Sequence, residues 1–312
     1  MKILLAYDGS KSADDALDAL GKAGLPTEDV EALILSVAEI WMPPPTNGNG
    51  PDEYLSGVGP DWIERHRKVK QSALNEAESL SRHALESLQN KFPGWKISLE
   101  TTAGSPARKI LEKAGGFCPD LIVMGAQGKN AISQLFLGSI SGKIVSEAKC
   151  SVRVARVGKE KTSTAPVRII IGFDGSPGAE AAVEAVIARK LNETSEIFLV
   201  TAIDPIVPES IGRFMSASII WVEKEIRTER RWIEKIAHHA LLKLKTAGFR
   251  AELCVRNGNP KQILIDEANK LGADCLFVGA NSLQDGSEPY PIGSVSAAVA
   301  ERSSCTVEVV RN

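Results

Sequence analysis

The sequence predicts an α/β protein built from two tandem doubly wound domains, each with a five-stranded parallel sheet flanked by helices. Three observations predict this fold. The chain repeats itself in order, short apolar runs alternate with helical stretches within each repeat, and the length of 312 residues suits two domains of roughly 150 residues.

Four segments of the first half recur in the second half. KILLAYDGSKSADDAL at 2–17 matches RIIIGFDGSPGAEAAV at 168–183, an offset of 166 residues. The three later matches have offsets of 154 or 155 residues, and they pair AGSPARKILEKA with NGNPKQILIDEA, PDLIVMGA with ADCLFVGA, and CSVRVARV with CTVEVVR. A nearly constant offset in a conserved order indicates a tandem duplication.

The domains are predicted at 1–158 and 166–312, because a short polar linker, VGKEKTSTAPV, separates two apolar runs. The first half has 12 more residues than the second between Asp8 and Gly104 and their counterparts, and we place them in the segment 41–60, which is dense in Pro, Gly and Asn. Such a segment is typical of an exposed loop. It is either a tolerated insertion or a lid.

Each half contains five short runs rich in Ile, Val and Leu, which suit strands buried on both faces. In the first half they are KILLAYD, ALILSVA, ISLETTA, LIVMGA and SVRVARV. In the second half they are VRIIIGFD, EIFLVTAI, AELCVRN, CLFVGA and TVEVV.

Helices are predicted between these strands. Ser10 and Ser176 stand at helix-cap positions, and Ser105-Pro106 and Asn259-Pro260 repeat a similar start signal. Long amphipathic stretches at about 61–90 and 216–247 fill the second crossover of each half. Strand–helix alternation of this kind predicts a parallel sheet with right-handed crossovers and a ligand crevice at the carboxyl ends of the strands, where the strand order reverses. If strands 1 and 4 flank that point, the ends to inspect are YDGS at 7–10 and MGAQG at 124–128.

The segment after strand 4 carries the main chemical signal. Residues 125–139 read GAQGKNAISQLFLGS, a G-x2-G-x9-G-S pattern formed by Gly125, Gly128, Gly138 and Ser139. Gly125 would let a ligand approach the backbone, and Gly128 would take a positive φ that turns N–H groups inward. Gly138-Ser139 would begin a helix whose N-terminus suits phosphate. The pattern is neither G-x-G-x-x-G nor a P-loop.

The duplicated unit, the Asp that closes strand 1 and this glycine pattern together resemble the universal stress protein family over essentially the whole chain. The resemblance implies ATP binding in the first half, where Asp8 would bond a ribose hydroxyl or help hold Mg²⁺. The other role open to Asp8 is to cap the turn into helix 1 with Ser10. The resemblance also implies a binding site formed by Ala6, Tyr7, Asp8, Val37, Met124, Gly125, Gly128, Gly138, Ser139 and Ile140.

The second half departs from the pattern. Ser282 replaces the second glycine, the spacer before Gly293 has ten residues instead of nine, and Asp285 and Glu288 add negative charge. Pro residues in the same loop remove N–H donors. Because carboxylates repel a triphosphate, we expect this half to bind ATP weakly or not at all.

Composition excludes several classes of function. A balance of 37 basic and 39 acidic residues, net charge −2, argues against nucleic acid as the main partner. The sequence contains no run of 18 apolar residues, so we expect no membrane span. The apolar start is too short for a signal peptide. Five cysteines without a C-x-x-C pair suggest reduced, mostly buried thiols in a cytoplasmic protein.

The four histidines lie on the predicted long helices, so we interpret them as surface or packing residues and assign no catalytic residue. The first hypothesis is therefore an ATP-binding stress-response regulatory protein with little turnover. The alternatives are a slow ATPase or nucleotidyl-transferring enzyme, and a nucleotide-free interaction scaffold. The last strand of each half is a predicted sheet edge, so the halves could pair with each other, and a further homodimer stays open.

Overall fold

The structure is a computed structural model, and it describes residues 1–21, 24–40, 60–128, 137–156, 165–189, 191, 194–203, 216–280 and 292–311. For residues 60–63, 66 and 216–229 it describes the backbone alone. Outside these residues lie nearly all of the predicted loop at 41–60, most of the linker, Lys129, and the divergent loop of the second half from Asn281 to Pro291.

Both halves show the predicted alternation of strands and helices. The N-terminal half comprises β1 (Lys2–Ala6), α1 (Lys11–Ala19), β2 (Glu31–Glu39), α2 (Pro60–Lys91), β3 (Lys96–Gly104), α3 (Pro106–Phe117), β4 (Leu121–Gly125), α4 (Ser139–Glu147) and β5 (Ser151–Ala155). The C-terminal half comprises β6 (Arg168–Gly172), α5 (Pro177–Ala188), β7 (Glu196–Ile203), α6 (Ser216–Thr246), β8 (Arg250–Asn257), α7 (Pro260–Leu271), β9 (Cys275–Gly279), α8 (Ser294–Arg302) and β10 (Thr306–Val310).

The ten strands form one continuous sheet in the order β3-β2-β1-β4-β5-β10-β9-β6-β7-β8. Within each half all strand pairs are parallel, whereas β5 and β10 pair antiparallel and join the halves. The order confirms two doubly wound units. It also confirms that the strand order reverses between β1 and β4, where a ligand crevice is expected.

The helix starts follow the predicted capping residues. Ser10 and Ser176 accept hydrogen bonds from the N–H groups of Ala13 and Ala179, each at 3.2 Å. Asn259 caps α7 in the same way through the Lys261 N–H. These side chains satisfy amides that a helix N-terminus otherwise leaves without partners.

Gly125 and its counterpart Gly279 are required by packing between a strand and a helix. A Cβ on Gly125 would lie 2.7 Å from backbone atoms of Ser12, and one on Gly279 would lie 2.3 Å from the backbone of Gly178. Such contacts are far inside van der Waals distance. The glycine that ends the fourth strand of each half therefore lets the first helix approach the sheet, which accounts for this residue without a ligand.

The apolar core differs between the two faces of the sheet. On the face of α3, α4, α7 and α8, one cluster of buried residues runs across both halves. On the face of α1, α2, α5 and α6, the halves have separate clusters. A buried ion cluster lies on the β5–β10 strand pair, where Arg153 Nη2 is 2.6 Å from Glu308 Oε2 and Arg189 contacts Oε1.

Glu308 is ionised in this cluster. Burial acts to raise its pKa, but the charges of Arg153 and Arg189 and their hydrogen bonds outweigh burial, so the pKa lies below its ordinary value. The carboxylate is completely buried, and it stays charged because two guanidinium groups surround it.

The five cysteines are all free thiols. Cys275 and Cys305 are buried, but Cys118 is exposed, so the prediction of mostly buried thiols is wrong there. Cys118 ends α3 with a φ of 50°, the left-handed conformation that Gly272 adopts at the end of α7 with a φ of 59°.

Among the helices whose residues are described, none is long and apolar enough to cross a bilayer.

Candidate functional site

A cavity of about 640 Å³ opens at the carboxyl ends of β1, β2 and β4. Residues from α2, α3 and the first turn of α4 complete its walls. All ten residues that the family resemblance assigns to a binding site line this cavity. The crevice is where a doubly wound sheet is expected to have one, and its size is typical of a small-molecule site.

The end of β1 forms the floor of the cavity through Tyr7 and Asp8. The Tyr7 hydroxyl donates to Asp14 Oδ1 at 2.5 Å, and so it points towards α1. Burial, then the hydrogen bond and charge of Asp14, raise the pKa of Tyr7 well above its ordinary range. Asp8 Oδ1 accepts the Ser10 N–H at 2.9 Å, so the turn-capping role of Asp8 is present.

Gly128 lies against the same carboxylate. A Cβ on Gly128 would lie 3.1 Å from Asp8 Oδ2. The expectation of a positive φ at Gly128 is wrong, because the positive-φ glycines of the described chain include Gly9 and Gly104 but not Gly128. The absence of a side chain instead keeps space around the second oxygen of Asp8.

The N-terminus of α4 presents open amides to the cavity. Gly138 occupies the cap position with φ −64° and ψ 156°, and no side chain caps the helix. Within the described structure no acceptor receives the N–H groups of Ser139, Ile140 and Ser141. The first turn contains no acidic residue. This helix end therefore combines free donors with the positive end of a helix dipole, which suits an anion.

The rest of the lining is mainly apolar and includes three acidic residues. Leu35, Val37, Ile110 and Met124 contribute hydrocarbon surface. Among the described lining residues the charged side chains are the carboxylates listed here: Asp8, Glu39 and Glu76. The cavity thus offers an apolar wall, a set of amides and three carboxylates.

The equivalent cavity of the C-terminal half is much smaller, about 220 Å³. It keeps Asp174, whose Oδ1 accepts the Ser176 N–H at 2.9 Å, and Gly293 at the cap of α8. Gly293 has φ −65° and ψ 151°, nearly the conformation of Gly138. The scaffold of the site is therefore duplicated, while the volume it encloses is not.

A family model described as the universal stress protein family matches residues 1–156 and again 167–311. The chain belongs to this family.

Relatives agree with two copies of the universal stress protein unit. A universal stress protein of Thermus aquaticus is 35% identical over 154 residues, which is 97% of that protein and 49% of this chain. One from Mycolicibacterium smegmatis is 25% identical over 253 residues, 78% of that protein and 75% of this chain. The solved structure of a universal stress protein from Archaeoglobus fulgidus covers 99% of this chain and 98% of its own, at 19% identity and a TM-score of 0.53, and it supports the fold alone.

The sequence did not predict the buried hydroxyl residues that support the cavity of this universal stress protein. Ser81 donates to Ser36 Oγ at 2.8 Å, and Ser36 donates to the Tyr7 carbonyl at 2.7 Å, all in the buried interior. In the second half Thr201 donates to the Phe173 carbonyl at 2.8 Å. A hydroxyl residue at the sixth position of the second strand in both repeats, Ser36 and Thr201, was the available signal.

We expect Tyr7→Phe to reduce stability without changing ligand affinity. The substitution removes the hydrogen bond to Asp14, which is worth about 1 kcal/mol of unfolding free energy. The ring itself should pack normally, because Phe173 occupies the equivalent buried position of the second half. Urea unfolding and ATP titration of the same preparation measure both effects. A tenfold or larger loss of affinity would show that the hydroxyl serves the ligand.

Proposed function

We propose that this protein is an ATP-binding regulatory protein of the stress response, with the nucleotide held in the N-terminal half and turned over slowly or not at all. The observation that carries the proposal is the open N-terminus of α4 beside an apolar wall in one large cavity. A nucleotide needs both surfaces, since its base is flat and largely apolar while its phosphates are anionic.

The nucleoside would lie against the ends of β1 and β2. Val37 is half-buried near the end of β2, and Leu35 and Ile110 extend the apolar wall beside it. The phosphates would extend towards Gly128, Gly138, Ser139 and Ile140, whose backbone surrounds the open helix end. This placement uses the G-x2-G-x9-G-S pattern as a phosphate-binding segment, and it assigns Met124 and Gly125 to the strip between the two ends.

Magnesium fits this arrangement through one protein oxygen. Asp8 Oδ1 is engaged by the Ser10 N–H, and Oδ2 faces Gly128. Within the described residues no group of three or more His, Cys, Asp or Glu side chains could hold a metal. Mg²⁺ would therefore be held by Asp8 together with phosphate and water oxygens, as is usual for this ion with nucleotides, and it would offset the negative charge of the cavity.

The C-terminal half would bind ATP weakly or not at all. Its cavity has about one third of the volume of the first, and the loop that departs from the glycine pattern follows β9 directly. We expect the two halves to have divided their roles, with nucleotide binding retained in the N-terminal half.

Titration of the full chain with ATP tests the proposal. We expect one ATP per chain by isothermal titration calorimetry, with binding weakened about tenfold or more when EDTA removes Mg²⁺, because phosphate and carboxylate charges then repel each other. Two equivalent sites per chain, or no binding, would contradict the assignment. In a parallel turnover assay, steady release of ADP or AMP at about 1 s⁻¹ or faster would favour an enzyme instead.

A further inference from the structure

The two halves meet along β5 and β10, and this strand pair has a local pseudo-two-fold axis. Glu308 lies directly opposite Arg153, with Val307 opposite Val154 and Val309 opposite Val152. Arg153 and Glu308 also occupy equivalent positions in the two repeats, 155 residues apart. The axis therefore passes through a pair of equivalent residues that carry opposite charges.

Contacts on either side of the axis are alike in the two halves. The Arg156 guanidinium donates to the Ala300 carbonyl in α8 at 2.8 Å, and its counterpart Arg311 donates to the Val145 carbonyl in α4 at 2.5 Å. The Ser151 hydroxyl accepts the Arg311 N–H at 3.1 Å, and the equivalent Thr306 hydroxyl accepts the Arg156 N–H at 3.2 Å. These contacts could form equally well between two identical halves.

The edge strands β5 and β10 differ in charge at the residues that lie on the axis. The strands read SVRVA and TVEVV, so apart from a Ser/Thr and an Ala/Val difference they diverge only at Arg153 and Glu308. Both side chains are buried, with exposed fractions of 1% and 0%. Arg189, from the end of α5, adds a second guanidinium to the same carboxylate.

We infer that this charged axis makes the two halves specific for each other. The β5 edge fits an antiparallel strand that carries a carboxylate opposite Arg153, and the partner of that kind is the second half of the same chain. If two N-terminal halves paired in the same register, two buried Arg153 guanidiniums would face each other without Glu308. Two C-terminal halves would place two Glu308 carboxylates together, each with its own Arg189.

The cost of pairing like halves falls mainly on the N-terminal half. Each Glu308 in a pair of C-terminal halves would keep one guanidinium partner, whereas the two Arg153 side chains would lose Glu308 and face each other as like charges. A buried charge without a counter-charge is strongly unfavourable. Two unlike pairs can exchange only into one pair of N-terminal halves together with one pair of C-terminal halves. A free-energy penalty on either of these like pairs therefore favours the unlike pairs.

Cleavage of the folded full chain between its halves tests this inference. A recognition sequence for a site-specific protease is inserted in the linker, and the protein is folded and cleaved. Unlabelled and ¹⁵N-labelled samples are then mixed in mild urea until the labels have scrambled, which proves that the halves exchange. Native mass spectrometry counts the pairs. For the wild type we expect unlike pairs to exceed like pairs by about tenfold or more, because one product would bring two buried Arg153 side chains together without Glu308.

The matched variant Arg153→Met/Arg189→Met/Glu308→Leu removes all three charges and should fold, because apolar residues commonly replace a buried ion cluster without loss of stability. We expect its like pairs to rise to about half of the total, the random proportion for edges that no longer differ in charge. The uncharged set Arg153→Gln/Arg189→Gln/Glu308→Gln repeats the measurement in a second background. Like pairs in the wild type at the random proportion, or unlike pairs alone in both uncharged variants, would overturn the inference.

Discussion

We expect Gly138→Asp to abolish ATP binding while leaving the fold at least as stable as the wild type. Gly138 has ordinary extended backbone angles at the cap of α4. Among the described residues, the atom nearest to a Cβ there would be the Ala126 carbonyl oxygen at 3.4 Å. Asp is among the best capping residues, so its carboxylate should accept hydrogen bonds from the free amides of the first turn. It would then occupy and charge the place proposed for the phosphates.

The expected loss of affinity is large. Each charge-assisted hydrogen bond to phosphate contributes about 1.5–3 kcal/mol, so losing two of them weakens ATP binding by about a hundredfold or more. Calorimetry and urea unfolding measure affinity and stability on the same variant. A Gly138→Asp protein that is stable and still binds ATP like the wild type would place the phosphates elsewhere.

Gly293→Asp is the matched control. Gly293 caps α8 with nearly the same backbone angles as Gly138, and α8 also lacks a side-chain cap. The substitution should therefore have the same small effect on helix stability, but it should leave ATP affinity unchanged. Loss of affinity on changing Gly293 would assign the nucleotide to the second half.

The second large effect concerns the buried ion cluster. We expect Glu308→Leu to lower the unfolding free energy by about 3–5 kcal/mol, because Arg153 and Arg189 would remain buried without their counter-charge. The triple replacement Arg153→Met/Arg189→Met/Glu308→Leu should restore most of this loss, since it leaves no uncompensated charge. Urea unfolding of both variants measures the difference. Equal stability of the single and triple variants would contradict the electrostatic explanation.

The same cluster makes stability depend on pH. The pKa of Glu308 is lower in the folded protein than in the unfolded chain, so its contribution is present above the unfolded pKa of about 4.3. It is lost as the pH falls from there through the folded pKa. We expect the wild type to lose stability over this acidic range faster than the triple variant does. Parallel unfolding curves of both proteins against pH would show that Glu308 does not contribute.

Much of the fold could be predicted from the sequence because the repeats carry local signals. Strand runs such as KILLAYD are apolar on both faces, and Ser10 and Ser176 mark helix starts through hydrogen bonds to residues close in sequence. The parallel pairing of the strands within each half follows from strand–helix alternation. These features depend on neighbouring residues, and so a single sequence contains them.

Long-range contacts could not be predicted in the same way. The sequence pattern assigns Gly125 to the approach of a ligand. In the structure a glycine is already required at this position, because a Cβ would collide with the backbone of Ser12. Gly128 was expected to adopt a positive φ, and instead it makes space beside Asp8. The residues around Arg153 and Glu308 do not predict the buried ion cluster, because each charge faces a residue on a strand 155 residues away.

A crystal structure of the full chain grown with excess Mg-ATP would test the central proposal most directly. We predict nucleotide density in the N-terminal cavity, with phosphate oxygens within hydrogen-bond distance of the Ser139 and Ile140 amides and the base beside Val37. Density for ATP elsewhere on the protein, or an N-terminal cavity without nucleotide under these conditions, would contradict it.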